Sequence, residues 1–378
     1  MKNFAGNIPV AFLGAAATIA LVQPQIAVAL DAASVGKIAK EITVLIEGPG
    51  SPGSGALVYQ DGNSYYVLTA AHVVRDIHPG EEADVVTYDK RRYQLDTTSL
   101  KIFPGVDLAL GRFTSTQPYP IARVGHADRT PVGSNVYVSG FPVPNPTITR
   151  SIYNFTPGQL TANASQLLDD GYGLVYTNNT LPGMSGGPVL NDRGELIGIH
   201  GRGDVLRTEA TANPNIWIKT SFNLGVPIDL FLKASPAQKA INVPLPPPVS
   251  EPIARSQTDN FFLRGGGKLQ SGDYPGAIYE FSQFLRLNPN ASSAYLSRGA
   301  ARFLMEDDRG AIADLTQALR LNPTLAHAYY NRGLAYFELQ DYRAALADLR
   351  AARELYLNQG NMNGYETANK VIRFWGGS

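Results

Sequence analysis

The stretch Pro182-Gly183-Met184-Ser185-Gly186-Gly187-Pro188-Val189-Leu190-Asn191-Asp192-Arg193-Gly194-Glu195-Leu196-Ile197-Gly198-Ile199-His200 sets a serine on a glycine-rich turn. Two short apolar runs follow it, Pro188–Leu190 and Glu195–His200, split by Asn-Asp-Arg-Gly, and this reads as strand, turn, strand. Working outward, short β-type runs punctuated by Gly, Pro, Asn and Asp extend from about Val35 to Ala234. The runs include Glu41–Ile46, Gly55–Tyr59, Tyr65–Thr69, Asp107–Phe113, Asn135–Ser139 and Leu196–His200, with a tight turn at Asp61-Gly62-Asn63. The pattern predicts an all-β barrel or sandwich over 30–234.

Beyond that unit, Pro236, Pro244, Pro246, Pro247, Pro248 and Pro252 make 235–256 an extended, semi-rigid spacer and a domain boundary. The remainder, 257–378, repeats itself with a period of 34: Gly265, Gly299 and Gly333 align, as do Ala277, Ala311 and Ala345, and Asn288-Pro289 recurs as Asn322-Pro323. Small residues at fixed positions let two antiparallel helices approach closely, and Asn-Pro ends the second helix of a unit. Three units cover about 258–358, the third with Leu357 in place of proline, and Tyr365–Trp375 reads as a C-terminal capping helix. At the other end, Lys2, the uncharged run Val10 to Val22 and Ala27-Val28-Ala29 have the form of a signal peptide over 1–29. Cleavage after Ala29 gives an exported chain, periplasmic or secreted; retention gives an N-terminal membrane anchor with the rest on the non-cytoplasmic side.

The 378 residues carry 32 Lys and Arg against 32 Asp and Glu, so the broad basic footprint of a nucleic-acid binder is absent. No cysteine is present, which removes disulfides, thiolate catalysis and Cys-ligated metals. His78, His126 and His327 are scattered and suggest no metal site, and no cofactor is called for.

Three segments carry chemistry. Thr69-Ala70-Ala71-His72 puts a histidine just past an apolar strand, Val106-Asp107-Leu108-Ala109-Leu110 opens a strand with an acid, and Ser185 sits on its glycine turn. A serine hydroxyl is a weak nucleophile, so it needs an imidazole to take its proton and a carboxylate to fix that imidazole. Glycine at the turn lets the Gly183 and Ser185 amides converge where an oxyanion would form. The strand after Ser185 and the order His, Asp, Ser exclude the nucleophile elbow of α/β-hydrolases, which needs a helix there and the order Ser, Asp, His. Asp84, Asp89 and Asp96 are alternative orienting acids, but none opens a comparable apolar strand.

These segments resemble those of trypsin-like, chymotrypsin-fold serine endopeptidases over about 36–234. The resemblance implies a double six-stranded β-barrel with His72, Asp107 and Ser185 as catalytic triad and Gly183 and Ser185 as oxyanion hole. Met184 departs from the aspartate that most secreted members carry there, so activation by a salt bridge to a new N-terminus is not expected. The C-terminal part resembles the tetratricopeptide repeat, which implies an all-α solenoid of helical hairpins whose concave face takes a partner protein or peptide. Thr180 and His200, five before and fifteen after the serine, are similar to the pocket pair of glutamyl endopeptidases, with Arg202 adjacent. That likeness implies a preference for an acidic side chain before the scissile bond; the alternative is a pocket for small or apolar side chains. Arg202-Gly203-Asp204 matches an adhesion tripeptide by chance and is set aside.

The expectation is an exported serine endopeptidase whose repeats recruit protein substrates or partners. Two other readings stay open: a repeat-based binding scaffold with an inactive or peptide-binding barrel, and a membrane-attached regulator that trims one specific protein.

Overall fold

A computed structural model describes residues 29–144, 150–164, 166–203, 205–207, 217–219, 223–233 and 257–375. The leader up to 28, the proline-rich spacer and Asp204 lie outside the described residues.

Helix α1 (Ala32–Ile42) starts where Asp31 accepts the Ser34 N–H at 2.7 Å. Val35, Ala39 and Ile42, spaced four and three apart, bury one stripe of it. This stripe carries Glu41 and Ile42 into the helix, so the expected strand at 41–46 begins only at Thr43.

The first antiparallel sheet contains β1 (Thr43–Glu47), β2 (Gly53–Asp61), β3 (Ser64–Thr69), β4 (Asp84–Val86), β5 (Arg92–Gln94), β6 (Asp96–Ile102) and β7 (Ala109–Thr114). Its order, β5-β4-β1-β2-β3-β7-β6, curls so that Tyr93 of β5 meets Phe113 of β7 with ring centroids 5.1 Å apart. Seven strands stand where six were expected, the short pair β4 and β5 extending the edge beside β1. Gly62, at φ 55°, turns β2 into β3. The core of this barrel holds Val44, Ile46, Leu57, Tyr65, Val67, Phe113 and Tyr119.

The second barrel is closed and six-stranded. Its strands β8 (Asn135–Gly140), β9 (Asn154–Asn163), β10 (Leu174–Tyr176), β11 (Pro188–Asn191), β12 (Leu196–Arg202) and β15 (Asn223–Pro227) run in the order β10-β15-β12-β11-β8-β9. Val138, Leu160, Leu174, Tyr176, Met184, Val189 and Ile197 fill it. A hairpin of β13 (Val205–Arg207) and β14 (Trp217–Lys219) follows β12, and the short helices α2 (Ala71–Val74) and α3 (Ile228–Lys233) complete the unit.

The repeats form helices α4 (Gln257–Gln270) and α5 (Tyr274–Leu287), α6 (Ser292–Leu304) and α7 (Asp308–Leu321), α8 (Ala326–Glu338) and α9 (Tyr342–Asn358), then α10 (Met362–Phe374). Gly265, Gly299 and Gly333 admit the side chains of Phe281, Leu315 and Leu349, which would lie 2.7–3.0 Å from any Cβ placed there. With Leu357 in place of proline, α9 runs to Asn358, three residues longer than α5 and α7. The capping helix begins at Met362 rather than Tyr365 because Asn361 caps it, accepting the Gly364 N–H at 2.8 Å.

A ladder of ion pairs runs between paired helices. Arg298 clasps Asp314 with Nε and Nη2, at 2.8 and 2.6 Å, and Arg332 clasps Asp348 in the same way at 2.6 and 2.9 Å. Each arginine also reaches back to the preceding unit, Arg298 to Ser282 and Arg332 to Thr316, both at 3.0 Å. The array packs on the barrels through one continuous apolar cluster that joins Val35, Tyr172, Ile199 and Phe231 to Phe262, Phe281 and Leu315. No helix among the described residues is long and apolar enough to cross a membrane.

Candidate active site

His72 is the second residue of α2, directly after β3, so the strand end and the single helical turn together fix its position. Its Nδ1 lies 2.7 Å from Asp107 Oδ2, and its backbone N–H donates to Oδ1 of the same carboxylate at 2.9 Å. Asp107 stands two residues ahead of β7, not at its first position, and its own N–H donates to the Asp170 carbonyl at 2.7 Å. The carboxylate is 3 % exposed. Burial alone would raise its pKa, but hydrogen bonds from His72 and the Tyr172 hydroxyl outweigh that and hold it lowered, to about 2. Arg75 approaches Oδ1 only at 3.7 Å with over half its side chain in solvent. The structure thus pairs His72 with Asp107, whereas Asp84 pairs with Arg92, Asp89 with Arg91 and Asp96 with Arg112.

Ser185 sits on the turn between β10 and β11. Gly183 and Gly186, at φ 93° and 87°, take the left-handed conformation that the turn demands. The turn is clamped by three hydrogen bonds to two residues: the Ser185 carbonyl accepts from Ser54 N–H at 2.8 Å, the Gly186 N–H donates to His200 O at 2.7 Å, and the His200 N–H donates to Gly187 O at 2.9 Å. The Gly183 and Ser185 amides, by contrast, donate to no other group among the described residues. Ser185 Oγ donates to the Gly201 carbonyl at 2.9 Å. No hydrogen bond joins it to His72 among the described residues, although a Cβ on Gly186 would fall 3.1 Å from Ala70 N, two residues before the histidine.

Sequence reasoning missed two residues here. Ser54, fully buried on β2, donates its Oγ to Gly183 O and accepts the Phe141 N–H, both at 2.8 Å, and its carbonyl accepts Thr69 Oγ1 at 2.6 Å. One hydroxyl of the first barrel therefore holds two segments of the second. Tyr172 has no local motif at all, yet its hydroxyl donates to Asp107 Oδ2.

The two residues of the expected pocket, Thr180 and His200, make separate hydrogen bonds. His200 is 1 % exposed, with Nδ1 2.8 Å from the Tyr176 hydroxyl. Burial, reinforced by the charge of His72, pushes its pKa down to about 3, so it is a neutral imidazole near neutral pH and not the imidazolium that would pair with a carboxylate. Thr180 hydrogen-bonds Asn223 Oδ1. Arg202 is engaged too, with Nη2 on Asp170 at 2.7 Å and its guanidinium 5.0 Å over the Tyr172 ring.

His126 is less isolated than its sequence spacing suggests. It gathers with Asp128 and Asp229 so that one ligand atom of each lies within 4.8 Å of the others, the sole such group of metal-binding character among the described residues. Its Nδ1 is 3.1 Å from Asp229 Oδ1, and Asp229 Oδ2 accepts the Ala127 N–H at 2.9 Å, which ties α3 to the 126–129 turn.

Residues 53–199 match the trypsin-like peptidase domain family, residues 305–340 the TPR repeat and residues 326–361 the tetratricopeptide repeat. Among curated proteins, the "Probable periplasmic serine endoprotease DegP-like" of Ectopseudomonas mendocina (strain ymp) is 31% identical over 152 residues, 40% of this chain and 29% of that protein. The protein of the same name from Marinomonas sp. (strain MWYL1) is 32% identical over 155 residues, 40% of this chain and 29% of its own. "Serine protease HTRA1" of Xenopus laevis is 29% identical over 158 residues, 41% of this chain and 32% of its own. The chain therefore spans about three-tenths of the length of these relatives.

Proposed function

We propose that this chain, a trypsin-like peptidase domain followed by tetratricopeptide repeats, is an exported serine endopeptidase. The observation that carries the reading is the His72–Asp107 pair at 2.7 Å beside a serine turn whose Gly183 and Ser185 amides donate to no other group among the described residues. Ser185 Oγ attacks the peptide carbonyl as His72 Nε2 takes its proton, while Asp107 holds Nδ1–H and favours the imidazolium. The two amides receive the oxyanion. His72 then returns the proton to the leaving amine as the C–N bond breaks, and in the second half it takes a proton from the attacking water and passes it to Ser185 Oγ as the ester bond breaks. To begin, Ser185 Oγ turns away from the Gly201 carbonyl, a hydrogen bond worth about 1 kcal/mol that substrate binding must replace.

A preference for an acidic residue before the scissile bond acts here through hydrogen bonding, because His200 is held neutral. The Tyr176 hydroxyl has one proton and two acceptors, His200 Nδ1 at 2.8 Å and Leu224 O at 3.1 Å. Only when the tyrosine donates to Nδ1 does the imidazole keep its proton on Nε2, where a carboxylate can use it. Export agrees with the leader-like first 29 residues and with the periplasmic naming of the DegP-like relatives. The repeats would recruit a substrate or partner protein.

The test is incubation of the chain with a proteome-derived peptide mixture, mapped by mass spectrometry, together with fluorophosphonate labelling of Ser185. Cleavages and labelling that vanish in Ser185→Ala support the peptidase, and clustering after Glu or Asp supports the pocket. Wild-type protein that neither labels nor cleaves overturns the reading.

A further inference from the structure

We infer that Tyr172 is a positioning residue for the His72–Asp107 pair, an assignment that rests on the peptidase reading above. It stands in the chain between the 3₁₀ turn Asp169–Gly171 and β10 and is 1 % exposed. The hydroxyl donates to Asp107 Oδ2, the same oxygen that His72 Nδ1 meets at 2.7 Å. Asp107 is gripped by this segment twice, since its backbone N–H also donates to Asp170 O at 2.7 Å.

The space for the ring is built into the opposite strand. A Cβ on Gly201 would lie 2.2 Å from Tyr172 Cε1 and 2.5 Å from its hydroxyl, so glycine at that point of β12 is what lets the tyrosine stand. Gly201 is also the residue whose carbonyl accepts Ser185 Oγ. The ring is thus wedged between the acid and the strand that borders the nucleophile. The charged or titratable groups that face it are Asp107 and, through that carboxylate, His72 and Arg75, together with Tyr176, Arg202 over its ring and Asp170 beside that arginine. Burial and the Asp107 charge drive the tyrosine pKa far upward, so the hydroxyl stays a donor throughout the working range.

The consequence for catalysis is geometric and electrostatic. Oδ1 is held by the His72 N–H, whereas Oδ2 is shared between the imidazole and Tyr172. Without the tyrosine proton, Oδ2 carries more negative charge toward the imidazole, which favours the imidazolium, and the carboxylate plane is free to turn.

The experiment is Tyr172→Phe in the full chain, with circular dichroism to establish folding. The His72 Nδ1–H resonance, which reports the hydrogen bond to Asp107, is followed by NMR, assigned with His72→Gln, and kcat/KM is measured in parallel. The expected result is a displaced Nδ1–H resonance, with kcat lower by about tenfold and KM little changed. Gly201→Ala, which expels the ring, should displace the resonance as well and serves if the phenylalanine variant fails to fold. A folded variant whose Nδ1–H resonance stays where that of the wild type lies overturns the assignment. The NMR readout needs no turnover: an inert wild type defeats the peptidase reading, while a reactive wild type with an unmoved resonance defeats only this one.

Discussion

Asn361, the cap of α10, donates its Nδ2 to Asn179 Oδ1 at 2.7 Å, and Asn179 lies six residues before Ser185. The last turn of the repeats is therefore tied to the segment that enters the nucleophile turn. Asn179→Ala removes that bond alone, with an expected cost of about 1 kcal/mol. Asn361→Ala removes the bond and the helix cap, with an expected cost of about 2 kcal/mol. In urea unfolding, Asn361→Ala should cost about 1 kcal/mol less in the Asn179→Ala background than alone. Fully additive losses would show that the contact contributes nothing.

Backbone geometry predicts which glycines the site needs. A Cβ at Gly186 would fall 2.0 Å from Ser54 O and 2.2 Å from Thr69 Oγ1, while at Gly80, with a similar φ, it meets nothing within 4 Å. Gly186→Ala should cost more than about 3 kcal/mol and abolish fluorophosphonate labelling, and Gly80→Ala about 1 kcal/mol with labelling intact. Equal losses at the two positions, read from urea midpoints, would contradict the steric argument.

The ladder arginines should matter far more than surface pairs. Arg332 and Asp348 leave only 16 % and 11 % of their side chains exposed, against 57 % and 35 % for Arg92 and Glu47. Asp348→Ala strands a buried guanidinium and should cost about 3 kcal/mol, whereas Glu47→Ala should cost less than about 1 kcal/mol. Replacing both partners, as Arg332→Met with Asp348→Leu, should recover much of the loss in thermal or urea melts, and failure to do so would place the defect elsewhere.

His200 makes stability fall with acid. Its pKa is lowered from 6.5 to about 3 on folding, so between those values the unfolded chain binds the proton that the folded chain refuses. The contribution is complete above 6.5 and is lost progressively as pH falls toward about 3. His200→Gln should therefore show a shallower decline of unfolding free energy between pH 6.5 and 4 than wild type. Parallel declines would mean that His200 is not the group responsible.

His72, Asp107 and Ser185 were legible because each lies beside a compact signal in its own segment: an apolar strand end, a buried acid, a glycine turn. Ser54 and Tyr172 were not, since their roles exist only after the barrels close. The Ser54 hydroxyl meets Gly183 across 129 residues and Tyr172 meets Asp107 across 65. The His126–Asp229 contact spans 103 residues and was hidden for the same reason. The repeats were read from their small residues and prolines. The arginine ladder, with its constant spacing of 16 residues, is equally periodic in the sequence, but apolar patterning gives no cue to it. The seventh strand of the first sheet escaped notice because β4 and β5 are three residues each, too short to alternate visibly.

Because Arg298 and Arg332 each look 16 residues forward to an acid and 16 back to a hydroxyl, the 34-residue unit is a self-contained piece for duplication. A copy of Asn288–Leu321 spliced in register would find both partners ready. It would also carry Asn361 a whole unit away from Asn179, so an added unit keeps the ladder and gives up the one hydrogen bond between them.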